Sequence, residues 1–344
     1  MRPAVLGVLT ALVAALLAGA TLTTPAVAAA ASPAAPATGS RGVVFDIVDS
    51  NASTVLCAPD NASYRLRGRL VGTIRDLDGV GGPLRVNVLV HDLGTGGWFW
   101  NLRTHPAYDY ATRLAERGET SLVLDRLGYG ASRLADGNAT CLGAQVDMLH
   151  QVVQHLVSGQ YRWTDRRHGT TPAAAHVVTH GHGVGAAIAQ VEAADYDDVD
   201  GLVLMSWTDT GATDLATRTA AQQSRECVGT DYAPRPALRA LLFRTAPAAV
   251  QRAAARRQAD DPCGDVGSLG PLLLASNLAA GRVDAPVLLL YGGQDRVNRA
   301  SARADQASSY PTEVTTRTFA GAGSALPLEQ RAGRVRAAVL RWLG

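Results

Sequence analysis

The stretch VVTHGHGVGAAIAQ, residues 177–190, joins two patterns in one short run. Its beginning completes AHVVTH (175–180), an apolar, β-branched segment that reads as a strand buried on both faces. From Gly185 to Ala194 the residues are alanine-rich and helical in pattern. Gly181, Gly183 and Gly185 stand between them, so strand and helix can approach more closely than side chains would permit. A buried strand feeding straight into a helix is the building unit of an α/β sheet.

Outward from this point the unit repeats. TSLVLD (120–125), GLVLMS (201–206), APVLLLYGGQD (285–295) and EVTTRTF (313–319) read as further strands. Helical patterns run over 108–117, closed by Gly118, and over 144–157. Residues 64–73 and 84–90, separated by the turn-rich RDLDGVGGP, read as a pair of strands. The fold class is therefore α/β, with a mostly parallel central sheet flanked by helices. Between 207 and 284 the repeat breaks into Arg- and Ala-rich sequence with five prolines and no clear strand. This segment is expected to be a helical cap over the carboxyl ends of the strands, where open α/β sheets bind ligands. The core is then 43–206 and 285–344.

The start of the chain has Arg2, an apolar stretch over about 4–20, and Ala26-Val27-Ala28. It reads as a secretory signal peptide (1–28) cut near Ala28, with an uncleaved anchor as the rival reading. An Ala/Pro/Ser/Gly leader is expected over 29–42, and no later stretch is apolar enough to span a bilayer. The 344 residues carry a net charge of +2. The basic residues are all arginine and form no basic run, which argues against a nucleic-acid footprint. Cys57, Cys141, Cys227 and Cys263 suit an exported protein with two disulfides. Of three possible connectivities, Cys227 with Cys263 is preferred because both fall in the inserted segment, leaving Cys57 with Cys141. Their spacings match no metal motif, and no cofactor is expected.

Five segments, in order, give the chain a family resemblance. VNVLVHDLGTGGWFW (86–100) is similar to the third strand and oxyanion loop of the α/β-hydrolase superfamily. LDRLGYGAS (124–132) is similar to its Asp-x-x-Gly-x-Gly-x-Ser turn. HVVTHGHGVGAA (176–187) stands where the nucleophile elbow belongs. VLLLYGGQDRV (287–297) resembles the strand end that carries the triad acid, and TFAGAGSALPLE (318–329) the loop that carries the triad histidine. The chain thus resembles a secreted, bacterial, esterase- or lipase-like member of that superfamily.

By position, the resemblance puts the nucleophile at Gly183, the histidine at Ser324 and the acid at Asp295. Only the acid is kept. Glycine cannot form an acyl-enzyme, and serine has no useful basicity near neutral pH. Two losses together also argue against a single inactivating laboratory substitution. The amides of Leu93 and Val184 are the implied oxyanion-hole donors. Asp92 stands where the family usually has glycine, which puts the loop's geometry in question. His91 reads as the residue that holds the oxyanion loop, and His182 as a packing residue beside the empty slot. Trp98 is expected beside the cleft. Ser206, at a strand end, is the candidate displaced nucleophile. His180 is expected to be buried, and a zinc site built from it and His182 lacks nameable further ligands. The remaining histidines, His150 among them, read as surface or element-end residues, and Asp125 as a brace for its own turn.

Three readings follow. In the first, the chain is a secreted pseudoenzyme that keeps fold and pocket and binds a small apolar or ester-like ligand, or a protein partner. In the second it is an active carboxylic-ester hydrolase with a non-standard nucleophile. In the third the triad is complete but displaced from these positions.

Overall fold

The computed structural model describes residues 36–82, 84–165 and 170–344. The expected signal segment, the first half of the leader (29–35) and His168 lie outside them. The chain enters at β1 (Thr38–Val48) and returns as β2 (Ser63–Thr73), followed by the short α1 (Ile74–Leu77). Then β3 (Leu84–Val90), α2 (Tyr110–Ala115), β4 (Thr120–Asp125), α3 (Leu142–Ser158) and β5 (Arg162–Trp163) follow. The stretch quoted first resolves into β6 (Ala174–His182) and α4 (Val184–Tyr196), leading to β7 (Gly201–Met205). The inserted segment holds α5 (Asp214–Glu226), β8 (Tyr232–Ala233), α6 (Leu238–Leu242), α7 (Ala248–Ala255), β9 (Asp261–Pro262), α8 (Cys263–Gly267) and α9 (Leu269–Ala279). Finally come β10 (Val287–Gly292), α10 (Ala302–Ser308), β11 (Val314–Phe319) and α11 (Ala332–Leu343).

Nine strands form one sheet in the order β11-β10-β7-β6-β3-β4-β2-β1-β5. From β11 to β4 every pairing is parallel, while β2, β1 and β5 add an antiparallel edge. This corrects one expectation: β2 and β3 are consecutive but not partners, because β4 lies between them. β1 begins at Thr38, so the strand also starts inside the expected leader over 29–42. Its alternation was masked by the small residues that precede it.

Both sheet faces are covered, which explains the unbroken apolar strands. Val86, Val88 and Val90 of β3, and Leu202 and Leu204 of β7, face the layer formed by α3, α4 and α9. Leu89 and Val203, one residue out of phase, face the layer containing α2 and α11. Removal of such a side chain from water contributes about 1.5–3 kcal/mol. The inserted segment divides in two: α9 packs into the core layer, and β8 pairs antiparallel with β9 where no strand was expected. Disulfides join Cys57 to Cys141 and Cys227 to Cys263. No helix among the described residues is long and apolar enough to cross a membrane.

Candidate functional site

Five parallel strand ends build the site. β6 ends at His182, and Gly183 turns the chain into α4 with φ 54° and ψ −125°, a left-handed setting that favours glycine. Gly185 permits the close approach that the turn needs, since a Cβ there would come 2.4 Å from the carbonyl oxygen of Val90. β3 delivers His91, Asp92 and Leu93 to the same place, β7 delivers Ser206, and the loops after β10 and β11 bring Asp295 and Ser324.

A carboxylate occupies the place where the resemblance puts an oxyanion hole. Asp92 Oδ1 accepts the N–H of Leu93 at 2.9 Å and that of Val184 at 2.8 Å. These are the two amides expected to polarise a substrate carbonyl, and a carboxylate now saturates both. The other oxygen covers the turn: a Cβ added to Gly183 would lie 2.1 Å from Asp92 Oδ2. A side chain at residue 183 and the one at residue 92 therefore compete for one volume.

The imidazoles do not rescue a triad. His182 is fully buried, stacked on Phe99 with ring centroids 4.4 Å apart. Its Nε2 lies 3.1 Å from the carbonyl oxygen of Ser324, a partner that assigns the proton to this nitrogen. Burial pushes its pKa below the ordinary histidine value, with Asp92 opposing, so the neutral ring is favoured. The remaining lone pair, on Nδ1, faces Asp92 Oδ2 at 3.6 Å, an oxygen with no nucleophilic hydroxyl between. His91 ties the loop after β3 to the end of β4: Nδ1 bonds the carbonyl of Asp92 at 2.9 Å, and Nε2 accepts the N–H of Arg126 at 3.1 Å. Burial and then Arg126 keep it neutral. His180 is buried against the Tyr110 hydroxyl at 3.0 Å, its pKa pushed down to about 3 by desolvation.

Ser206 is buried, with φ 52°, and its hydroxyl donates to the carbonyl oxygen of Ser324 at 2.9 Å rather than to an imidazole. Asp295 turns back on its own loop, where Oδ1 accepts the N–H groups of Val297 at 2.7 Å and Asn298 at 3.2 Å. Burial raises its pKa, and these donors pull it down again. Asp125 braces its turn as expected, accepting from Gly97 N–H at 2.8 Å and Ala131 N–H at 3.1 Å.

Above the floor lies a cavity of about 320 Å³ lined by Asp92, Leu93 and Val184 below and by α5, α6 and α9 above, with Leu238, Leu241 and Leu273 among its apolar walls. Of the residues expected in the pocket, Asp92 reaches it, whereas His91, His182 and Ser206 are fully buried behind it. Trp98 is a correction: it lines a separate surface hollow with Arg69 and Asp125. Its ring meets Phe99 edge-on at 6.3 Å, at the margin of the same apolar layer, and Phe99 rather than Trp98 stacks on His182.

Sequence reading missed the clasp between cap and oxyanion loop. Asp261 accepts the N–H of Gly94, and the Tyr129 hydroxyl bridges Asp261 and Asp265 at 3.1 Å each. Arg126 pairs with Asp265 at 2.9 Å, both side chains almost wholly buried. Acidic residues flanking Cys263 in DDPCGD were the available signal.

The family profile described as "Alpha/beta hydrolase family" matches residues 88–338. No curated protein matches the chain by sequence. Among solved structures, a thermophilic esterase from Thermogutta terrifontis is 19% identical with a TM-score of 0.57, covering 86% of this chain and 98% of its own. A monoacylglycerol lipase from Paleococcus ferrophilus is also 19% identical at TM-score 0.57, covering 75% and 93%. The peroxisomal alpha-beta-hydrolase Lpx1 from Saccharomyces cerevisiae is 11% identical at TM-score 0.54, covering 89% of each chain. The sheet order, the strand–glycine–helix turn and the profile match agree: the chain belongs to the alpha/beta hydrolase family.

Proposed function

We propose that this protein is an exported, non-hydrolytic member of its family that binds a small, largely apolar molecule in the cavity under the cap. One observation carries the reading: the Asp92 carboxylate takes both amides of Leu93 and Val184 and the space of a side chain at residue 183. An ester carbonyl entering this floor meets a negative oxygen instead of two donors. The ligand class is accordingly an apolar body bearing a hydroxyl or amine, which can donate to Asp92, rather than an ester. Export is supported by the signal-like start and by two disulfides, which persist in oxidising compartments.

The test is hydrolysis of short- and long-chain p-nitrophenyl esters by the natural protein and by a triple variant, Asp92→Gly with Gly183→Ser and Ser324→His. The natural protein is expected at background, with turnover appearing in the variant. Turnover by the natural protein equal to or above that of the variant would remove the reading and return attention to an unassigned nucleophile.

A further inference from the structure

Near the opposite end of α4 from Val184, which lines the cap pocket's floor, three elements converge on a second polar cluster. His150 projects from the middle of α3, Glu192 from the last turns of α4, and Asp198 from the segment before β7. One ligand atom from each lies within 4.8 Å of the others. His150 Nδ1 is 2.7 Å from Asp198 Oδ2, which also accepts from Gln154 Nε2 at 2.8 Å. Glu192 has no solvent exposure, and neither of its carboxylate oxygens has a hydrogen-bond donor; Asp198 Oδ1 has none either. The His150 ring is held flat against Tyr196 at a centroid distance of 3.9 Å, and the Tyr196 hydroxyl is anchored on Asp147 at 2.7 Å.

Two carboxylates and one imidazole meet here, and among the described residues no arginine pairs with Glu192 or Asp198. Arg282, the nearby cation, is committed to Asp195 at 2.8 Å. A buried carboxylate without donors is strongly disfavoured unless a cation or a proton joins it. The donor set discriminates between cations. Calcium and magnesium take all-oxygen shells, whereas an imidazole nitrogen with carboxylate oxygens suits zinc and its transition-metal neighbours. The His150 and Asp198 side chains are 27% and 14% exposed, so an ion can reach the cluster from solvent and keep water in a remaining position.

We propose that His150, Glu192 and Asp198 form a binding site for a divalent transition metal, zinc by preference, that fastens α3 to the end of α4. The site stands apart from the cap cavity and does not depend on how that cavity functions. Its competitor is a proton. Burial, then the neighbouring Asp198, holds the Glu192 carboxyl well above the ordinary carboxylate range, so an acid on Glu192 donating to Asp198 is the alternative occupant. Metal binding displaces that proton.

Chelator-stripped protein titrated with zinc chloride by calorimetry decides between them, beside His150→Gln and Glu192→Gln. The natural protein is expected to take up one zinc per chain, with its unfolding temperature rising as zinc is added. Each variant should lose at least tenfold in affinity together with that rise. Glu192→Gln changes a buried position and can fail to fold. His150→Gln, at a partly exposed position and checked by circular dichroism, gives the same answer independently. Absence of saturable zinc uptake by the natural protein, or uptake of equal affinity by folded His150→Gln, overturns the site in favour of the proton.

Discussion

Asp92 and Gly183 occupy one volume: with Asp92 Oδ2 only 2.1 Å from where a Cβ on residue 183 would stand, one of the two positions can carry a side chain there and the other cannot. A hydrolase of this fold puts its side chain at the elbow and leaves the loop position small. Here the loop carries it. A side chain at residue 183 is thus admitted only where the one at residue 92 is reduced as well.

That coupling is measurable. Gly183→Ser alone is expected to destabilise the protein by more than the roughly 1–3 kcal/mol of backbone strain at a left-handed position, because the new side chain also collides with Asp92. Asp92→Gly leaves the amides of Leu93 and Val184 without their shared acceptor and also destabilises, by about 1–3 kcal/mol. The double variant should recover part of both losses, giving an interaction energy of about 0.5–3 kcal/mol from denaturant unfolding of all four proteins. Simple additivity would mean that the two residues do not share the space.

The pocket should discriminate by head group. For an apolar body of fixed shape, an amine or alcohol is expected to bind more tightly than the matching carboxylate, which meets Asp92 as a like charge. Asp92→Asn should narrow the gap by about tenfold or more, near 1.4 kcal/mol, in a calorimetric comparison of paired ligands. A preference for the carboxylate would show that Asp92 does not face the ligand.

Asp49 predicts a pH dependence of stability. It is buried, its Oδ1 accepting from Thr140 at 3.1 Å and its Oδ2 without a partner, and desolvation pushes its pKa up to about 7 from 3.8. The folded state therefore holds the proton more tightly than the unfolded chain does. The associated stability is complete below about pH 4 and is lost as pH rises through 7. In urea unfolding between pH 4 and 8, Asp49→Asn should flatten this part of the curve and be at least as stable as the natural protein at pH 8. A variant curve parallel to the natural one would assign the dependence to another group.

The clasp between cap and core rests on a buried ion pair. Arg126→Met is expected to cost about 3–5 kcal/mol by leaving the Asp265 charge uncompensated. Arg126→Met with Asp265→Leu should recover most of it, since apolar residues of similar volume often replace a buried pair without penalty. The measurement is again equilibrium unfolding, with loss of ligand binding under the cap as a second readout, because Gly94 of the oxyanion loop is tied to the same cluster through Asp261.

The parts of the fold most legible in the sequence are those where burial leaves a pattern. β4 matches its expected span at both ends, and β6, β7 and β10 lie within a few residues of theirs, because strands covered on both faces are apolar throughout. The β2–β3 pairing was misread because adjacency in sequence does not determine adjacency in a sheet, where β4 slips between them. The tight turn between β6 and α4 was legible in Gly183 alone. The role of Asp92 was not, since it depends on two loops meeting across the sheet. The buried acids Asp261 and Asp265, and Glu192 within an otherwise alanine-rich helix, were legible only as charge. What pairs with them is decided by packing between elements distant in the chain.

The carbonyl oxygen of Ser324 receives three donors: His182 Nε2 at 3.1 Å, Ser206 Oγ at 2.9 Å and the N–H of Leu326 at 2.8 Å. The ends of β6 and β7 are thereby sewn to the loop after β11 by a peptide oxygen. In a working hydrolase an imidazole reaching to a carboxylate spans this region, so architecture and reactivity share a bond. Here the peptide oxygen alone holds the strand ends together. Any small side chain at position 324 preserves the seam, so this position can be substituted without the scaffold being rebuilt.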